Sequence, residues 1–355
     1  MMMQAKTRIL LGMSGGKDSS VTALLLQQKG YEVVGVTFRF FEKENNQDYL
    51  TSAQSLAKKL KIDHFIVDKR NEFKNTVIKN FADEYLSGRT PFPCVQCNIH
   101  LKWNLLLEEA EKHHCDFIAT GHYAQLEKKG SFFYFKNAKD EEKDQTFFLW
   151  GLPQSTLQKI ILPLGNFLNS EVKQLATDNH FDFLQNQKNS VGACFCSNDY
   201  RPFLRALAKE RNIEIKKGDF TDETGNFLSY HEGFPYYTVG QRRGLGLTSR
   251  KPLYVKRIDA ENNRIIVSTK EKTYETTIEI SQTNIIDAKD FDTEDPIIAK
   301  IHYRKQATPC TVNVLPDNKA IVLLQEPLSA IAKGQSVVFY RNNLVIGGGI
   351  IENSH

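Results

Sequence analysis

The chain has 355 residues, 41% of them hydrophobic and 25% charged, and a net charge of +4. This is the composition of an ordinary soluble protein, long enough for two or three domains and well past the size that needs disulfide staples. The charge is too small to argue for nucleic acid by itself. No apolar stretch approaches membrane length and none dominates Met1 to Lys6, so the expected compartment is the cytoplasm, with no membrane partner.

In chain order, Ile9-Leu10-Leu11-Gly12-Met13 reads as a strand that runs into the turn Ser14-Gly15-Gly16-Lys17-Asp18-Ser19. A helix opens at Asp18-Ser19, with Val21, Leu24 and Leu25 on its apolar face and Gly30 as its stop. Glycines let backbone approach a ligand closely, and a helix start offers unpaired N–H groups to an anion. The turn is therefore suited to phosphate, although an ordinary polar βα turn would use the same residue types. Its spacing matches neither the Walker loop nor the dinucleotide fingerprint.

Val33–Phe38 follows as a buried strand, then a helix over about 51–60, a strand over 64–67, and a helix over roughly 72–86. A helix from Leu101 to His113 leads to the strand Phe117-Ile118-Ala119, which ends in Thr120-Gly121-His122-Tyr123. This alternation implies a doubly wound parallel sheet, with ligands beyond the carboxyl ends of its strands. The loops after Met13, Phe38 and Ala119 are thus expected to meet. Near residue 205 the character changes. Turns and short strands occupy about 212–270, including a run from Gln241 to Arg257 with six basic residues and no acid. Beyond 275 nearly everything reads as strand, at the spacing of a small barrel or sandwich. The expected fold is α/β in residues 1–204, a small central α+β domain in 205–273, and a C-terminal β-barrel in 274–355.

Four of the six cysteines form two close pairs, Cys94-x-x-Cys97 and Cys194-x-Cys196. Paired thiols in a reducing compartment suggest redox chemistry, a metal or sulfur handling. Arg89-Thr90-Pro91-Phe92-Pro93-Cys94 reads as a proline-stiffened loop ahead of the Leu101 helix, whose start should lower the pKa of Cys97. Ser190 to Phe195 reads as a small-residue loop presenting Cys194 before a helix capped by Asp199. Each has a plainer explanation. A cysteine often serves as a small buried hydrophobe, C-x-x-C can be half a zinc site, and the aromatic stretch His231–Gly246 can be a turn packed on a core.

The turn at Ser14–Ser19 resembles the S-G-G-x-D-S signature of the PP-loop ATP pyrophosphatases. With Thr120–Tyr123, Lys143-Asp144-Gln145, Phe148-Leu149, Pro163-Leu164-Gly165, the stretch His231–Gly246 and Ile346–Ile350, the whole chain resembles the bacterial tRNA-specific 2-thiouridylase family (MnmA, TrmU). The resemblance implies a transferase that uses ATP and Mg2+ to adenylate the C2 oxygen of the wobble uridine, then replaces that oxygen with sulfur. It implies ATP contacts at Gly12, Met13, Ser14, Gly15, Gly16, Lys17, Asp18 and Ser19, with Phe38 and Gly121 at the adenine nucleoside. It implies Cys194 as persulfide carrier and Cys97 as its catalytic partner, the two closing as a transient disulfide. The tRNA anticodon stem-loop would meet Phe92, Pro93, Cys94, His122, Lys143, Asp144, Gln145, His302, Tyr303 and Gln335. A sulfur-relay protein or cysteine desulfurase would supply the sulfur.

The chain departs from the family's commoner residues at Phe38 (methionine), at His302 (arginine) and at Cys94 (aspartate). Should Cys94, Cys97 and Cys194 come within reach of one point, they would also fit an iron–sulfur cluster, the pattern of iron–sulfur-dependent tRNA thiolases, or a zinc ion with an open position. Two other readings are a PP-loop enzyme adenylating a different acceptor and a non-catalytic tRNA- or metal-binding protein.

Overall fold

The computed structural model describes residues 6–42, 48–181, 193–196, 199–292, 294–304 and 307–355. The chain forms two compact units. One holds Met1–Thr76, Cys94–Phe195 and Asn342–Val345, and the other Val77–Pro93, Cys196–Arg341 and Ile346–His355.

The first unit is built on parallel strands β1 (Arg8–Gly12), β2 (Glu32–Arg39), β3 (Asp63–Asp68), β4 (Phe117–Ala119) and, after the hairpin β5 (Gln125–Lys129) and β6 (Phe132–Lys136), β7 (Ile160–Ile161). Their order is β3-β2-β1-β4-β7. Register is set by apolar residues buried on both faces: Leu10 of β1 lies between Val34 of β2 and Ile118 of β4. Helices α1 (Lys17–Gln28) and α2 (Asp48–Leu60) bury Val21, Leu25, Leu26, Ala53 and Leu56 against the sheet. The chain crosses from β1 to β2 on one side and reaches β4 on the other. The connections at β1 thus leave in opposite directions, and a crevice opens at this switch point, beyond the carboxyl ends of the strands.

A second helical stretch corrects the sequence reading. Helix α3 (Pro93–Cys97) runs through a π-helical turn (Asn98–Lys102) into α4 (Trp103–Lys112). Pro93 thus opens the helix rather than stiffening a loop before it, because its missing N–H and fixed φ suit a first helical position. Cys94 stands in the helix's first turn and Cys97 one turn further on.

In the second unit, β8 (Gly218–Thr221), β9 (Phe227–His231), β10 (Tyr254–Asp259) and β11 (Arg264–Ser268) form a sheet in the order β10-β11-β8-β9. The helix before it, α5 (Arg201–Glu210), follows Tyr200, which provides no side-chain cap. Asp199 instead accepts from the Arg201 backbone N–H and pairs with its guanidinium. Six antiparallel strands then close a barrel: β12 (Tyr274–Ile285), β13 (Ile297–Lys300), β14 (Ala307–Leu315), β15 (Lys319–Ser329), β16 (Ser336–Arg341) and β17 (Leu344–Ser354). Pairing of β12 with β17 completes it. Val322, Val337, Val338, Phe339, Val345 and Ile351 fill its core.

The stretch His231–Gly246 packs within this second unit. Its buried residues His231, Tyr236 and Tyr237 build core, with Tyr237 edge-on to Phe220 at 5.2 Å. Gly233 has φ +133, and a Cβ there would lie 2.2 Å from the Ile215 side chain.

Candidate active site

A cleft of about 570 Å³ opens at the carboxyl ends of β1, β2 and β4. That volume lies within the range of small-molecule sites, roughly 300–1,000 Å³. Gly12, Met13, Ser14, Asp18 and Ser19 form one wall, Thr37, Phe38, Phe40 and Phe41 a second, and Thr120, Gly121 and His122 a third. Tyr49, Lys102, Gln145 and Cys194 complete much of the rest. The three loops expected to converge do so. Among the described residues, the lining has one acid, Asp18, and one lysine, Lys102.

The wall at the head of α1 is internally braced. Gly15 sits at φ +70, and a Cβ on it would lie 2.3 Å from the carbonyl oxygen of Tyr49, so no other residue fits. The backbone N–H of Ser14 donates to Ser19 Oγ at 3.3 Å, and the hydroxyls of Ser19 and Ser20 donate to the Gly16 carbonyl at 3.0 and 2.9 Å. Gly16 is the N-cap residue and supplies no side-chain cap, which leaves first-turn amides suited to an anion. Gly121 must also be small, because a Cβ there would lie 3.0 Å from the backbone of Asp18 and Ser19.

Lys17 does not line the cleft. Its ammonium is held by the Asp18 carboxylate at 2.5 Å and by Asn169 Oδ1 at 3.0 Å, while the Tyr123 hydroxyl donates to Asp18 at 3.1 Å. A phosphate drawn to Lys17 must compete with this network. Gly15 and Gly16 shape the turn from behind. Phe38 stacks on Phe40 (5.5 Å) and Phe40 on Phe73 (5.3 Å), giving the cleft a flat apolar side.

Cys194 lines the cleft, and Cys194 and Cys94 both reach solvent while Cys97 is half-buried. Loss of solvation nonetheless raises the pKa of all three, and at Cys194, together with the neighbouring Cys97 and Cys94, it pushes the thiol up to about 12. The expectation that the helix start would favour a Cys97 thiolate is therefore corrected: loss of solvation outweighs it, and the resting thiol is protonated. Lys102 opposes burial at every one of these thiols. Sequence reading missed this residue. The wider π-helical turn at Asn98–Lys102 shifts the helical phase, so that a lysine five positions after Cys97 reaches the same cleft. Among the described residues, no three or more Cys, His, Asp or Glu side chains converge as ligands for an ion. The preceding Ser190-Val191-Gly192 lies outside the described residues.

Residues expected to meet RNA are distributed unevenly. His122 and Gln145 line the cleft. The His122 ring lies over Trp103 at 5.7 Å, shares a 2.6 Å hydrogen bond with Thr120, and is held neutral by burial and by Lys102. Gln145 Oε1 accepts from the Tyr123 N–H. Asp144 is buried, its carboxylate accepting from the Ala138 N–H at 2.9 Å and the Thr146 hydroxyl at 2.6 Å, while the Lys143 N–H donates to Asp140. In the second unit, the Gln335 amide donates to the carbonyls of Thr90 and Pro91 at 3.0 and 2.8 Å, fixing the chain ahead of Phe92-Pro93. His302 is half-buried and Arg304 stacks over Tyr303 at 5.3 Å.

Three family models match successive parts of the chain: the tRNA methyl transferase HUP domain (7–198), the tRNA methyl transferase PRC-barrel domain (207–269) and the aminomethyltransferase beta-barrel domain (275–351). Among curated relatives, tRNA-specific 2-thiouridylase MnmA 1 of Bacteroides fragilis is 44% identical over 99% of both chains. MnmA 2 of Phocaeicola vulgatus is 45% identical over 98% of this chain and 99% of its own, and MnmA of Cytophaga hutchinsonii is 40% identical over 99% of both. The chain belongs to the MnmA/TrmU family of tRNA-specific 2-thiouridylases, in the PP-loop superfamily.

Proposed function

We propose that this chain is a tRNA-uridine 2-sulfurtransferase that activates the C2 oxygen of the wobble uridine with ATP and exchanges it for sulfur. The observation that carries the reading is that the braced head of α1 and the thiol of Cys194 line one cleft. An activating anion site and a nucleophile must share a space if a leaving group made at one is displaced from the other. Methyl transfer, named in two family-model descriptions, would need no thiol there.

In this reading Gly12–Ser19 hold the triphosphate. The first-turn amides of α1 would bear on its charge, Asp18 would hold an accompanying Mg2+, which would supply charge neutralisation, and Phe38 and Gly121 would flank the nucleoside. Adenylation makes the C2 oxygen leave as AMP. Cys194 carries the incoming sulfur as a persulfide delivered by a relay protein or cysteine desulfurase. Its outer sulfur bonds to C2 as AMP departs, leaving the base joined to Cys194 through a disulfide; Cys97 then attacks Cys194 Sγ, releasing 2-thiouridine and closing the Cys97–Cys194 disulfide. Both thiols must first lose a proton, which Lys102 favours. Neutral His122 with Gln145 borders the space for a uridine drawn out of the anticodon stack. A persulfide is preferred to a cluster because the three thiols are neighbours without forming a convergent ligand set among the described residues. Residues 1–204 would house the chemistry, with 205–273 and 274–355 holding tRNA.

Purified iron-free protein given unmodified tRNA, ATP, Mg2+ and a persulfide donor should form 2-thiouridine with AMP and pyrophosphate in equal amounts. Cys194→Ser should form none. Strict dependence of thiolation on added iron would overturn the persulfide reading, and an unaffected Cys194→Ser would overturn the role of that thiol.

A further inference from the structure

Cys94 has no part in the reaction as proposed above, yet it lies one turn from Cys97 in the helix Pro93–Cys97. An α-helical turn separates such Cα atoms by about 5 Å, inside the roughly 4.4–6.8 Å that a disulfide spans. Cys94 reaches solvent, whereas a cysteine serving only to pack would be enclosed, as Cys310 is. The Asn98 amide donates to the Cys94 carbonyl at 3.0 Å, bracing this turn. Cys194 is a neighbour of both helix thiols, since a charge on either would raise it.

Resting on the proposed thiolation, we infer that Cys94 is a resolving thiol that attacks Cys97 in the Cys97–Cys194 disulfide and frees Cys194 for the next persulfide. The electrons balance at each step. During sulfur transfer the sulfane sulfur accepts two electrons as it becomes the thiocarbonyl sulfur, and Cys97 and Cys194 supply them by forming their bond. The Cys94 thiolate then bonds to Cys97 Sγ, the Cys97–Cys194 bond breaks, and Cys194 leaves with the electron pair and takes up the proton that Cys94 lost. This exchange is redox-neutral. The Cys94–Cys97 disulfide is afterwards reduced by an external dithiol, which becomes a disulfide itself. The oxidised pair then sits at a solvent-reaching helix start, and the cleft is clear for a new persulfide.

The test uses the full-length protein charged with persulfide on Cys194 and allowed one turnover with tRNA and ATP without reductant. It is then acid-quenched, alkylated and mapped by peptide mass spectrometry. The expected map pairs Cys94 with Cys97 and finds Cys194 alkylated. A Cys97–Cys194 pair with Cys94 alkylated, alongside formed 2-thiouridine, overturns the resolving role and leaves the thiolation reading intact. Absence of 2-thiouridine overturns both. With excess dithiol, Cys94→Ser should give one burst of product and then a steady rate about tenfold lower. A steady rate equal to that of the unsubstituted protein contradicts the inference. The disulfide map needs no variant, so a folding defect in Cys94→Ser cannot decide the matter.

Discussion

At the head of α1, Ser14, Ser19, Ser20 and Gly16 satisfy one another through hydrogen bonds, and Gly15 holds its positive φ under a backbone carbonyl. On the lining of the same cleft, Cys194 and its neighbours Cys94 and Cys97 rest as neutral thiols whose charged forms loss of solvation opposes. The side proposed to take the nucleotide is shaped before any ligand arrives, and the side proposed to carry sulfur is chemically quiet. For an enzyme that handles a reactive sulfur, this division has a physical logic. Preorganised donors cost no rearrangement at the moment of reaction. Protonated thiols avoid reacting with stray oxidants or electrophiles until a persulfide and an activated base are in place.

The comparison is broken most sharply at Gly15. Gly15→Ala should lower ATP-dependent pyrophosphate release roughly a hundredfold or more, because the added Cβ displaces the turn from the phosphates. The strain should also lower stability by about 1–3 kcal/mol, visible as a reduced melting temperature. An alanine variant with normal pyrophosphate release would show that the turn is not preformed for phosphate.

A smaller effect is expected at Lys102. In the free enzyme the thiolate of Cys194 is the disfavoured form, so its fraction is small at neutral pH and grows as pH rises. Alkylation of Cys194 should therefore climb about tenfold per pH unit between roughly pH 7 and 9. Lys102→Ala removes the one charge that lowers all three thiols, and the alkylation profile should move upward by on the order of one pH unit. A profile flat across that range would mean that the thiolate is already formed, and the contrast between the two sides of the cleft would fail.

The same contrast governs how much could be read from the chain. The phosphate side is contiguous: a strand, a glycine turn and a helix start occupy Ile9–Leu25, so its local sequence carries its geometry. The parallel sheet follows from the alternation of apolar strands and helices, and the barrel from the strand-rich text after 275. The sulfur side joins segments about a hundred positions apart, and only the cysteines signal it. Lys102 escaped notice because a π-helical turn alters the phase that ordinary helical spacing predicts. Pro93 reads as a loop residue because proline serves both stiff loops and first helical positions. Asp144 stands within a family motif, but its carboxylate is spent on the Ala138 N–H and the Thr146 hydroxyl. The stretch His231–Gly246, the most family-specific text in the chain, contributes core packing through His231, Tyr236 and Tyr237. Motif specificity and proximity to chemistry are separate properties.

The central claim is that ATP activates the oxygen which sulfur then replaces. It is tested most directly with tRNA carrying heavy oxygen at C2 of the wobble uridine, followed through a single turnover. The account predicts that the label leaves in the phosphate of AMP, matching 2-thiouridine one for one. Label found in water, or in pyrophosphate, would contradict it.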